Sequence, residues 1–136
     1  MEDNDRGAAA VEFALVLPLL LLLLFGIIDF GRAYHSKVTL THAAREGARA
    51  LALAPDAAAG TDDLNDRLAS GALAPGAIGT VTVESLTACG TGNAAVVLKE
   101  QFDFLTPLPG LAIFYGGSPW ATSVTLRGRA VMRCRG

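Results

Sequence analysis

Residues 14–28 read A-L-V-L-P-L-L-L-L-L-L-F-G-I-I, fifteen positions without a charge. Counting back to Ala8 adds a single charged side chain, Glu12, and extends the run to 21 residues. A helix rises about 1.5 Å per residue, so a Leu-rich run of this length matches the roughly 30 Å hydrocarbon layer of a bilayer and predicts a membrane helix over 8–28. A cleaved secretory signal would carry a basic n-region, a shorter apolar stretch and small residues at its end. Here the run is followed by Asp29-Phe30-Gly31-Arg32.

The remainder of the 136-residue chain is balanced. Overall it is 51% hydrophobic and 18% charged with a net charge of −2, which excludes an intrinsically disordered or nucleic-acid-coating protein. The charge divides by segment. Residues 1–7 hold Glu2, Asp3, Asp5 and Arg6, residues 8–28 hold only Glu12, and residues 29–136 hold ten basic and nine acidic side chains. The apolar excess therefore belongs to one N-terminal block. Arg6 stands alone before the span against Arg32, Lys37 and Arg45 after it, a count that by itself places the C-terminal part in the cytoplasm.

Glu12 requires a reason. An ionised carboxylate costs about 2.5–3.5 kcal/mol at the membrane centre and less near its edge. One reading puts Glu12 among the headgroups, where it meets the positive end of the helix dipole. The other follows from its neighbours. The stretch Arg6-Gly7-Ala8-Ala9-Ala10-Val11-Glu12-Phe13, running directly into the Leu-rich helix, resembles the processing site of type IV prepilins. With E-F-A-L-V-L-P, D-F-G-R and A-A-R-E-G-A-R taken together, residues 6–54 resemble the TadE-like family of minor pseudopilins of the tight-adherence (Flp) pilus system.

That resemblance implies a specific set of roles. A membrane aspartyl peptidase would cut after Gly7, leaving Ala8 as the mature N-terminus, Glu12 as the family's acid and Phe13 beside it. In a packed bundle Glu12 would then neutralise the amino terminus of an adjacent subunit and set helix register. The topology implied has the N-terminus in the cytoplasm and the C-terminal part outside, against the positive-inside count. Residues 1–7 would be a leader, 8–28 the transmembrane helix, 29–54 its stalk continuation and 55–136 an extracytoplasmic head. The acidic leader, Met1-Glu2-Asp3-Asn4-Asp5, departs from the basic leaders frequent in such proteins.

The stalk follows from composition. Between Gly31 and Ala54 the chain is rich in Ala, Leu and Arg with no proline until Pro55, so one helix continues from the span and ends there. Residues 8–54 as one helix would extend roughly 70 Å. Pro18 frees the Ala14 carbonyl and is read as a tolerated membrane-helix kink or as a point of local melting during assembly. Ala43, Ala44, Gly47, Ala50 and Leu51 form a small-residue face on which a partner helix could pack, unless alanine serves only as a good helix former. His35 and His42 lie about 10.5 Å apart along such a helix, too far to share a metal ion. His42 with Glu46 supplies only two ligands, so no metal site is expected.

The head reads as α+β. A short helix over Gly60–Leu73 would be capped by Thr61 or Asp62, turn Leu64 and Leu68 inward, and stop at Ala74-Pro75-Gly76. Three strand-like stretches follow: Thr80–Thr87, Ala94–Leu105 and Ser123–Arg133, forming a small antiparallel sheet with one wet face. Val96, Leu98, Phe102 and Phe104 share one side of the second strand. Val124, Leu126, Ala130 and Met132 share one side of the third, and Thr125, Arg127, Arg129 and Arg133 the other. Cys89–Asn93 reads as the turn between the first two strands, and the apolar, Pro- and Gly-rich stretch 105–120 as a loop or short helix that packs on the sheet or touches a membrane or partner.

Cys89 and Cys134 are the only cysteines. Strand parity places Cys89 with Val81 and Val83, and Cys134 with Ala130 and Met132, so both would face the core. A disulfide between them suits an extracytoplasmic head; the alternative is two buried thiols. No G-x-S-x-G, phosphate loop, H-E-x-x-H or C-x-x-C occurs, so no enzyme, cofactor or small-molecule substrate is expected.

The expected fold is thus α+β and pilin-like: a long N-terminal transmembrane and stalk helix, then a short helix and a small antiparallel β-sheet. The expected function is that of a minor pseudopilin in tight-adherence pilus assembly, matured by a prepilin peptidase in the bacterial inner membrane. Its expected partners are that peptidase, other pilins and pseudopilins, pilus assembly membrane proteins and lipid, without nucleic acid. An uncleaved, membrane-anchored binding module is the alternative.

Overall fold

The computed structural model describes residues 2–89, 92–106 and 123–134. Two compact units divide the chain, one built on the residues up to Arg32 with the chain from Phe104, the other on Ala33–Asp103 with the strand from Ser123.

Helix α1, Glu2–Leu53, is 52 residues long and supplies both units. It passes through Gly7 and Pro18 without a break and ends one residue before the predicted stop at Ala54. In the first unit its surface is bare from Gly7 to Leu24, with Leu15, Leu19 and Leu23 each more than half exposed. A soluble protein rarely leaves so large an apolar surface uncovered. This helix is long and apolar enough to cross a membrane.

The second unit is an α+β head. The C-terminal half of α1, helix α2 (Ala57–Ala69) and strands β1 (Val81–Thr87), β2 (Asn93–Asp103) and β3 (Ser123–Arg133) bury one core. The sheet is antiparallel in the order β1-β2-β3, as a chain of two successive hairpin-type pairings requires. Strand β2, central and paired on both edges, alternates strictly, with Ala94, Val96, Leu98, Glu100 and Phe102 buried. Glu100, between Leu98 and Phe102, shares that face by the same alternation. One oxygen of its carboxylate accepts from the Gly79 N–H, and the other has no partner among the described residues.

Helix α2 begins earlier than predicted. Asp56, not Thr61 or Asp62, is its N-cap: Asp56 holds an extended backbone and its side chain accepts from the Ala59 N–H at 2.8 Å. Thr61 lies inside the helix, its hydroxyl donating to the Ala57 carbonyl. The helix also ends before Ala74-Pro75-Gly76, at Ala69 with Ser70 as its C-cap, and Gly71 just beyond takes a φ of +73° that an L-residue adopts with strain. Leu64 is fully buried and Leu68 packs against the core, as the helical spacing predicts.

The small-residue face of α1 is used within the chain. Ala43, Ala44, Gly47 and Ala48 are buried, and a Cβ on Gly47 would come within 2.7 Å of Leu64 and 3.7 Å of Val96. Packing of a partner helix was one of two readings of this face; around Gly47 it is Leu64 of α2, Leu73 and Val96 of β2 that occupy it. Close approach is greatest at Gly128 of β3, where an added Cβ would lie 2.5 Å from the Leu40 carbonyl oxygen. Beside it, Lys37 donates to the Arg127 carbonyl, so helix and strand are tied where their backbones meet.

Strand β1 carries a bulge. Val83 pairs with Leu98 and Ser85 with Val97, leaving Glu84 as the extra residue. Inward side chains are accordingly Val81, Val83 and then Leu86, with parity reversed after the bulge. The second and third strands keep their predicted faces, but β2 ends at Asp103 rather than Leu105, and Val124 at the start of β3 is exposed. Of the turn 89–93, residues 90 and 91 lie outside the described residues, as does the stretch 107–120.

Candidate processing and membrane site

The four residues singled out at the N-terminus lie on α1. Gly7, Ala8, Glu12 and Phe13 are all exposed, and a Cβ on Gly7 would meet nothing within 4 Å. Four residues make just over one helical turn, so Ala8 and Glu12 share a face, about 6 Å apart along the axis. No described residue pairs with the Glu12 carboxylate. A glycine in a helix interior is about 1 kcal/mol less favourable than alanine, so among these four residues the backbone is most easily drawn out of helix at Gly7.

At the other end of the apolar stretch sits Asp29, the first residue of D-F-G-R. Asp29 is 1% exposed. Its carboxylate accepts from the Leu105 N–H at 3.1 Å, from the Thr106 N–H at 3.3 Å and from the Thr106 hydroxyl, with Arg32 at 3.5 Å. A buried carboxylate satisfied by several donors is the arrangement burial requires. Its principal partners are 76 and 77 residues away, so spacing within the motif carried no sign of them.

In the head, Cys89 and Cys134 form a disulfide with their Cα atoms 5.7 Å apart. The route to it differs from the parity reading: the bulge at Glu84 cancels the parity shared by Val83 and Cys89, and both cysteines lie just beyond their strands. The Cys134 N–H, donating to the Gly92 carbonyl, extends the pairing of β2 and β3 to the bond.

The wet face of the sheet holds a shallow hollow of about 600 Å³ lined by Thr82, Glu84, Lys99, Gln101, Asp103 and Arg127 among others. Glu84, on the outward face next to Val83, reaches across β2 to Arg127, whose Nε lies 2.7 Å from one carboxylate oxygen and 3.0 Å from the other. That hydrogen bond holds the Glu84 carboxyl below its ordinary range and raises the Arg127 guanidinium. Arg127 is thus a paired cation, not part of an open basic face with Arg129 and Arg133. His35 and His42 are both exposed on α1, and among the described residues no three His, Cys, Asp or Glu side chains gather in a group that could hold a metal ion.

These features define a chain with one membrane-spanning-capable N-terminal helix and a disulfide-closed α+β head. Residues 7–49 match the family model described as TadE-like protein, the same family the motifs resemble. The match begins at Gly7 and covers α1 almost to its end; the head beyond residue 49 lies outside it. No curated protein and no solved structure matches the chain.

Proposed function

We propose that this protein is a minor pseudopilin taking part in assembly of a tight-adherence (Flp) pilus, matured by a prepilin peptidase that cuts after Gly7. The observation that carries the proposal is the coincidence of the TadE-like match, starting at residue 7, with an exposed Gly7 and a Glu12 one turn beyond Ala8 on an uncovered apolar helix. Cutting after Gly7 removes the acidic leader and creates a cationic amino group on Ala8. Glu12 of a neighbouring subunit is the group that can neutralise it in a low-dielectric bundle, where an unpaired charge is costly. The chain acts as substrate and structural subunit, not as an enzyme. It sits in the bacterial inner membrane with the N-terminus cytoplasmic and the head outside, where the oxidised state of Cys89 and Cys134 is sustained. Its partners are the peptidase and other pilin-type helices.

The test is the N-terminal residue and intact mass of the membrane-extracted protein from cells with and without a prepilin peptidase. A start at Ala8 only when the peptidase is present is the expected result. A chain beginning at Met1 in both would overturn maturation and leave an uncleaved membrane-anchored module.

A further inference from the structure

Resting on the reading that α1 crosses a membrane, we infer that the turn Phe104–Thr106 docks on the lipid surface where the helix leaves the bilayer, with Leu105 as the lipid contact and Asp29 as the positioning residue. The uncharged apolar run of α1 ends at Ile28, and Asp29 is the next residue, about 1.5 Å along the axis. By accepting from both amides and the hydroxyl of the turn, Asp29 fixes the turn at that height.

Those same bonds determine what the turn can face. Backbone N–H groups left open are expensive at the edge of hydrocarbon, and here Leu105 and Thr106 have theirs satisfied inward by the carboxylate. What remains outward is the Leu105 side chain, 71% exposed. Ile27 at 63% and Phe30 at 76% continue the apolar surface on α1 at the same level. An apolar side chain with masked amides, set level with the end of a membrane-length apolar helix, suits the boundary between headgroups and acyl chains.

The experiment places a nitroxide at Leu105→Cys in the full chain, reconstituted in phosphatidylethanolamine–phosphatidylglycerol vesicles with the native disulfide kept oxidised. Collision with oxygen is compared with collision with a water-soluble nickel chelate, using labels at Leu22→Cys within the span and Arg129→Cys on the wet face of the sheet as references. The Leu105 label is expected to show an oxygen-to-nickel ratio several-fold above that of Arg129, and Asp29→Asn or Thr106→Val is expected to lower it toward the aqueous value. A Leu105 ratio equal to that of Arg129, with Leu22 still apolar, overturns the docking and leaves the span intact. An aqueous Leu22 overturns both. Exclusion of both agents with dipolar broadening between Leu105 labels assigns the contact to a second copy and overturns the lipid assignment. An unchanged ratio in both Asp29→Asn and Thr106→Val removes the positioning role.

Discussion

Gly128 of β3 lies against the Leu40 carbonyl of α1 so closely that a single methyl group would come 2.5 Å from the oxygen and 2.6 Å from the carbon. The obstructing atoms are backbone, which cannot rotate aside. Gly128→Ala is therefore expected to force the helix away from the sheet and to destabilise the head by about 1–3 kcal/mol. Urea unfolding of the full chain in detergent, followed by circular dichroism, measures it.

Gly47 presents the opposite case. The atom that an added Cβ would meet at 2.7 Å is the end of the Leu64 side chain, which can be removed. Leu64→Ala alone is expected to cost about 2–5 kcal/mol through the cavity it leaves. Gly47→Ala alone forces Leu64 to shift, and with Leu64→Ala the new methyl group enters the vacated space. The double variant is expected to be more stable than the sum of the single losses by about 1 kcal/mol, the coupling a double-mutant cycle reads.

The Cys89–Cys134 bond closes a segment with a sequence separation of 45. Loop-closure entropy for a segment of this length corresponds to about 4 kcal/mol. Reduction, or Cys89→Ala with Cys134→Ala, is expected to lower the unfolding midpoint accordingly. Each single variant is expected to do the same, since neither cysteine closes the loop alone.

Acid weakens the Glu84–Arg127 pair. Because the hydrogen bond from Arg127 holds the folded Glu84 carboxyl below its unfolded value, its contribution is complete above the ordinary carboxylate range and is lost as pH falls through the folded value. Both side chains are solvent-exposed enough for salt to screen them. Arg127→Met is expected to raise the titration midpoint of Glu84, read from its carboxyl carbon shift by NMR. High salt is expected to move the unaltered protein in the same direction, by less.

Elements whose signals are local were legible in the order of the residues alone. The 21-residue run from Ala8 to Ile28, with Glu12 its single charge, specifies a membrane-length helix, and the absence of proline from Gly31 to Ala54 carries it onward to Leu53. Alternation in β2 and β3 reproduced their faces because both strands pair without interruption along their length. That Gly7, Ala8, Glu12 and Phe13 lie together on one helix was legible for the same reason, their spacing falling within two helical turns.

Contacts between distant segments set the remaining features. Spacing shows that Ala43 and Gly47 form a small face but not which surface fills it; Leu64, Leu73 and Val96, distant along the chain, do so. The bulge at Glu84 reverses parity in β1, a change fixed by register against β2 and invisible in the alternation of Val81 and Val83. The cysteines still meet, because both lie past the strand ends. Asp29 shows the limit most plainly: its charge and place were evident beside the apolar run, but its function depends on two amides and a hydroxyl brought to it by folding from 76 and 77 residues away.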